Sequence, residues 1–86
     1  MPDNTNALYG LAMAQLQGRQ LTGAAETLSK LVTIKPTDAE GWLYLGDVMY
    51  YQQKLPDARR CWEKARRYAA QPRVSAAATG RLQQFR

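Results

Sequence analysis

Eighty-six residues, 45% of them hydrophobic, make one small domain that buries only a modest share of its surface, so repetition or association would help hold it together. The chain contains no histidine and one cysteine, which removes Ser/His and Cys/His pairs, histidine-based metal sites and internal disulfides; no enzyme activity, metal or cofactor is expected. Its +5 net charge is uneven, with −2 over the first 53 residues and +7 over the last 33, so the second half could face an acidic partner or an anionic surface.

The opening MPDNTNALYG lacks the basic and apolar regions of a secretory leader. No apolar run approaches the roughly 20 residues that span a membrane, and a cytoplasmic protein is the expectation. Leu8, Leu11, Ala12 and Gln15 begin a stripe of helical period. It predicts a first helix near 5–18, with Gly18 close to its end. Leu21, Ala24, Ala25, Leu28, Leu31 and Val32 make a second stripe, near 21–34, which Pro36 stops. Thr37-Asp38-Ala39-Glu40 then reads as a capping box, Thr37 capping free amides and Glu40 reaching back. It opens a third helix near 38–53. Pro56 suits the first turn of a fourth, near 55–69, where its missing N–H costs nothing. Pro72 interrupts again before a fifth, near 73–85. Cys61 has no partner for chemistry and reads as an ordinary helix residue.

A shift of 34 residues sets Leu8 on Trp42, Leu11 on Leu45, Ala12 on Gly46 and Leu16 on Tyr50. It also sets Leu21 on Leu55, Ala24 on Ala58, Leu28 on Trp62 and Leu31 on Ala65. One helix–turn–helix unit is therefore written twice without a gap. A second shift keeps Gly46 on Gly80 and Tyr51 on Phe85 but loses most large positions, so the last helix closes the stack. Gly46 inside a helix costs about 1 kcal/mol against Ala; it is expected where a partner helix crosses closely, opposite Ala58.

This pattern resembles the tetratricopeptide repeat family, whose W-x2-L-G-x2-Y, A-x3-F and P signature is met by Trp42, Leu45, Gly46, Met49, Ala58 and Trp62. Met49 stands in the Tyr place and Ala70 in the final Pro place, while Pro36 lies where the first repeat should end. The first repeat is more degenerate, with Leu8, Ala12 and Gln15 in place of Trp, Gly and Tyr. The resemblance implies an all-α superhelix of repeats at about 5–38 and 39–72 with a capping helix at about 73–85. It also implies a concave face that captures a peptide, in a non-catalytic adaptor, scaffold or co-chaperone class of protein. Carried over by position, that face would present Tyr9, Met13, Leu16, Gln17, Glu40, Leu43, Asp47, Tyr50 and Tyr51. Its aromatic, methionine-containing and mildly acidic character suits an apolar or basic segment. Met13 and Asp47 occupy places where the family's clamp for C-terminal carboxylates needs Asn, so that mode is not expected.

Trp42 and Trp62 belong to the core on this reading. Tyr50 and Tyr51 point about 100° apart, so one of them faces the groove or the closing helix. Two further uses of the chain stay open. Self-assembly, as a homo-oligomer or within a longer array, would cover the first helix, which has no preceding repeat. Alternatively, Arg59, Arg60, Lys64, Arg66 and Arg67 on the outer helix could dock an acidic partner or anionic surface. The plainer account of those residues is a solvated face in which Glu63 pairs with its arginine neighbours. Nucleic acid is not an expected partner, since the aromatics fall mostly on other faces.

Overall fold

The structure, a computed structural model, describes residues 4–85; residues 1–3 and 86, which enter the leader reading and the charge count, lie outside the described residues. Five helices follow one another: α1 (Thr5–Gln17), α2 (Leu21–Ile34), α3 (Ala39–Tyr51), α4 (Leu55–Tyr68) and α5 (Pro72–Gln84). No strand occurs among the described residues. Each helix packs on the next in sequence, and α5 returns to touch α3. The chain is thus an all-α stack of antiparallel helix pairs closed by a single helix. Among the described residues no helix is long and apolar enough to cross a membrane.

Four of the five helix starts among the described residues are set by a short side chain or by proline; α2 follows directly from the turn after α1. The Asn4 side chain accepts a hydrogen bond from the Ala7 amide at 3.1 Å, and Asp38 accepts one from Gly41 at 3.0 Å. The cap of α3 is therefore Asp38 rather than Thr37, because the helix begins one residue later than the box pattern suggests. Glu40 consequently does not reach back but turns toward α1 and α5. Pro56 and Pro72 stand in the first turns of α4 and α5.

The first helix of each pair ends in the same way. Past α1, Arg19 N–H donates to Leu16 O and Gln20 N–H to Gln15 O; past α3, Gln53 N–H donates to Tyr50 O and Lys54 N–H to Met49 O. Both sets are the paired bonds of a Schellman closure. The left-handed residue is Arg19 (φ 58°) in one and Gln53 (φ 64°) in the other. Gly18 itself has φ −84°, so glycine is not what turns the chain there.

Two apolar clusters hold the stack. Ala12, Ala24, Leu28, Leu31, Val32, Leu45, Val48 and Cys61 form the first, between α1, α2 and α3 with an edge from α4. Leu43, Ala58, Trp62, Ala65, Val74, Ala78 and Leu82 form the second, between α3, α4 and α5. Trp42 and Met49 pack against both clusters and join them. Trp62 is fully buried, but Trp42 only half so: its indole N–H donates to Pro36 O at 2.7 Å and Lys64 Nζ sits 4.3 Å from its ring centre. Leu11, expected in the stripe of α1, is instead 50% exposed. Its counterpart Leu45 packs against the helix pair that precedes it; α1 has no such pair among the described residues.

Gly46 lies at the α3–α4 crossing. A Cβ there would stand 2.6 Å from two atoms of the Trp62 ring and 3.0 Å from Ala58 O. The close approach is thus made by the Trp62 indole as well as by the small Ala58.

Candidate functional site

Helical spacing places Tyr44, Asp47 and Tyr51 on one face of α3, at i, i+3 and i+7. The 34-residue repeat puts Gly10, Met13 and Gln17 at the matching places on α1, and Ala78, Arg81 and Phe85 at those of α5 and its end. Contacts confirm that the three helices share this face. The Tyr9 hydroxyl donates to Glu40 at 3.1 Å, and the Tyr9 and Tyr44 rings meet edge to face at 5.8 Å. Arg81 spans both oxygens of the Asp47 carboxylate.

A groove of about 690 Å³ opens on this face. Leu16 and Gln17 of α1 form one wall, Arg19 and Leu21 the end where the chain turns into α2, and Tyr44, Asp47 and Tyr51 the other wall. Tyr51 is 62% exposed, more than Leu11, Ile34 or Tyr50, the other large apolar side chains that face water among the described residues. An aromatic ring left in water beside two leucines is surface that a partner's apolar side chain would cover favourably.

The acids on this face are already engaged. Asp47 accepts the Trp62 indole N–H at 3.0 Å and the Arg81 guanidinium. Glu40 accepts the Tyr9 hydroxyl and lies 3.5 Å from Arg73. Burial, reinforced by Tyr44 and Glu40, pushes the Tyr9 hydroxyl well above its ordinary range, so it stays a proton donor. The face is therefore less acidic than the bare count of carboxylates suggests. Arg19, exposed at the end of the groove, makes no ion pair among the described residues.

Of the residues expected on this face, Leu16, Gln17, Asp47 and Tyr51 line the groove. Met13 and Tyr9 are half-buried against the first cluster, and Glu40 bridges α1 and α5. Leu43 is corrected: at 4% exposure it belongs to the second cluster and presents nothing to a partner. The Tyr50 ring meets that of Phe85 at a tilt, 4.3 Å between centres, and lies 6.2 Å from Trp62, which turns it toward the closing helix rather than the groove. Sequence reasoning passed over Tyr44, Arg19 and Leu21. The spacing of Tyr44 to Asp47 and Tyr51 carried the first, whereas nothing local marked the other two.

The outer face of α4 is less open than its sequence. Arg59 folds back to donate to Leu82 O at 3.2 Å and Phe85 O at 2.7 Å, capping the end of α5. Arg60 sits 3.7 Å from Asp57, and Lys64 lies over Trp42. Arg66 and Arg67 are exposed in the last turn, where the helix dipole favours them. The expected pairing of Glu63 with neighbouring arginines is not formed among the described residues. Cys61 is buried, and burial pushes its thiol up to about 11, which suits a packing role rather than a reactive one.

Comparison with known families is consistent with this geometry. One tetratricopeptide repeat family model matches residues 39–71 and a second matches residues 2–39. No curated protein sequence matches the chain.

Proposed function

The chain belongs to the tetratricopeptide repeat family, and from that premise we propose that it binds a segment of a partner protein in the groove between α1 and α3, as a non-catalytic adaptor. Repeats of this family generally mediate protein–protein interaction. The observation that carries the reading is the 690 Å³ groove walled by Leu16, Leu21, Tyr44 and the exposed Tyr51. Such a cleft has the size and the apolar lining of a ligand site. Its walls come from three consecutive helices, so a bound segment would meet preorganised side chains.

The test is capture from nuclease-treated lysate at moderate salt, comparing the native chain with Leu16→Ser/Tyr51→Ser and with Arg66→Gln/Arg67→Gln. Both pairs alter exposed or half-exposed positions, so the fold should survive, and circular dichroism checks that it does. Loss of a captured protein in the groove variant alone supports the reading. Loss in the arginine variant alone moves the function to the outer face of α4, where Arg66 and Arg67 are exposed and make no ion pair among the described residues. Recovery of nothing but the chain itself would favour self-association, for which the 50% exposed Leu11 and 42% exposed Ile34 offer surface.

A further inference from the structure

We propose that the segment held in the groove is acidic as well as apolar, with side-chain carboxylates directed at Arg19. This inference rests on the reading of the groove as a peptide site. The apolar part follows from Leu16, Leu21, Tyr44 and Tyr51. The acidic part follows from the charges that line the groove. Asp47 is its one acidic lining residue, and the Arg81 guanidinium already spans that carboxylate. Arg19 is the other charge in the lining and makes no ion pair among the described residues. The pair Asp47–Arg81 sums to zero, so the charge lining the groove that is left unpaired among the described residues is Arg19, and its sign is positive.

The placement of Arg19 is fixed by the fold. It occupies the left-handed position of the turn, and its own N–H donates to Leu16 O at 3.0 Å. Its backbone is thus anchored at the end of the groove, while its exposed side chain is free to meet a carboxylate. A basic segment, which the tally of acids in the sequence favoured, would meet an uncompensated guanidinium there instead.

Exposed ion pairs add little affinity, so one contact with Arg19 should change binding by only about two- to fivefold. Its larger effect is on selectivity, because like charges placed together are rejected. Reversing the charge exchanges attraction for repulsion, and the preference for acid over base should fall about tenfold. Screening over about 8 Å at physiological ionic strength means the preference should grow as salt is lowered.

The experiment uses three dye-labelled synthetic peptides: Leu and Phe alternating with Glu, the same with Lys for Glu, and the Glu peptide with Ser for Leu and Phe. Affinities by anisotropy are combined with amide shift mapping by NMR on the native chain, Arg19→Glu and Arg66→Gln/Arg67→Gln. The two variants change net charge equally, so bulk attraction cannot mimic a local effect. The expected result is that the Glu–apolar peptide binds best and shifts the amides of Leu16, Arg19, Tyr44 and Tyr51. Arg19→Glu should then cut its advantage over the Lys peptide about tenfold, while the outer-face variant leaves that ratio in place. A Lys peptide that binds more tightly at the same amides overturns the acidic preference and leaves the groove standing. An equal fall in both variants also overturns it, by assigning the preference to overall charge. If no peptide shifts the groove amides, the groove reading and this inference fall together.

Discussion

A glycine inside a helix costs stability unless something occupies the space its missing side chain leaves, and this chain offers both cases. At Gly46 the space is filled by the Trp62 ring and the Ala58 carbonyl; at Gly10 nothing lies within 4 Å of where a Cβ would be. The same substitution should therefore have opposite signs. Gly10→Ala gains helix propensity of about 0.5–1 kcal/mol with no clash, raising the melting temperature by several degrees. Gly46→Ala gains the same propensity but forces the buried indole away from Asp47, a net loss of about 1–3 kcal/mol. Thermal unfolding of the two variants followed by circular dichroism decides the matter. Equal shifts in the same direction would mean that the close crossing is not what keeps residue 46 small.

Between elements, the strongest polar tie joins the first helix of the second pair to the closing helix. Asp47 and Arg81 stand 34 residues apart, at equivalent places in the repeat. Their side chains are only 16% and 32% exposed, and Trp62 donates to the same carboxylate. Removing one partner leaves a largely dry charge, so Asp47→Ala and Arg81→Ala should each destabilise by about 1–3 kcal/mol. The double variant should cost less than the sum of the two, with a coupling of about 0.5–2 kcal/mol by urea denaturation. Additive losses would show that the pair is decoration on a stack held by packing alone. This tie is also a feature that the sequence alone does not disclose. The helices were legible because the 3.6-residue stripes run through them and Pro36, Pro56 and Pro72 fall at their boundaries, whereas the caps were not: Asn4 passed unread and Asp38, not Thr37, caps α3. The groove was legible at Leu16, Gln17, Asp47 and Tyr51, and missed by one residue elsewhere on α3. Leu43 and Tyr50 each precede by one position the residues that face the groove at Tyr44 and Tyr51. One residue is 100° of helix, enough to move a side chain from the face to the core. A repeat register gives position along a helix well, but it gives direction around the axis only to within such an error. The neutralisation of Asp47 was hidden for another reason: its partner lies on the one helix that had lost the repeat pattern.

At the scale of the whole molecule, the two clusters act as one unit because Trp42 and Met49 touch both. In a linear stack each helix is held mainly by its neighbours, and the end helices are the least supported. The closing helix is an end by position, yet it covers more than an end usually does. Val74, Ala78 and Leu82 are buried against Leu43, Ala58, Trp62 and Ala65, and Phe85 lies 5.6 Å from the Trp62 ring. Deleting residues 72–86 would leave that Trp62 surface in water and take Arg81 from Asp47. It would also release α5 from its own ordering cost, so the net loss is smaller than the area alone suggests. Stripping cover from a buried tryptophan and three smaller side chains still costs at least about 2 kcal/mol, or roughly 10 °C in melting temperature for a domain of this size. The loss should appear as one cooperative transition shifted downward, reported alike by far-ultraviolet dichroism and by tryptophan fluorescence, because the shared residues transmit it to the first cluster. Two separate transitions, with α1 and α2 melting at the temperature of the intact chain, would instead mean that the clusters fold independently. The groove would then depend on α5 only through α3, where Arg81 holds Asp47, and not through α1 or α2.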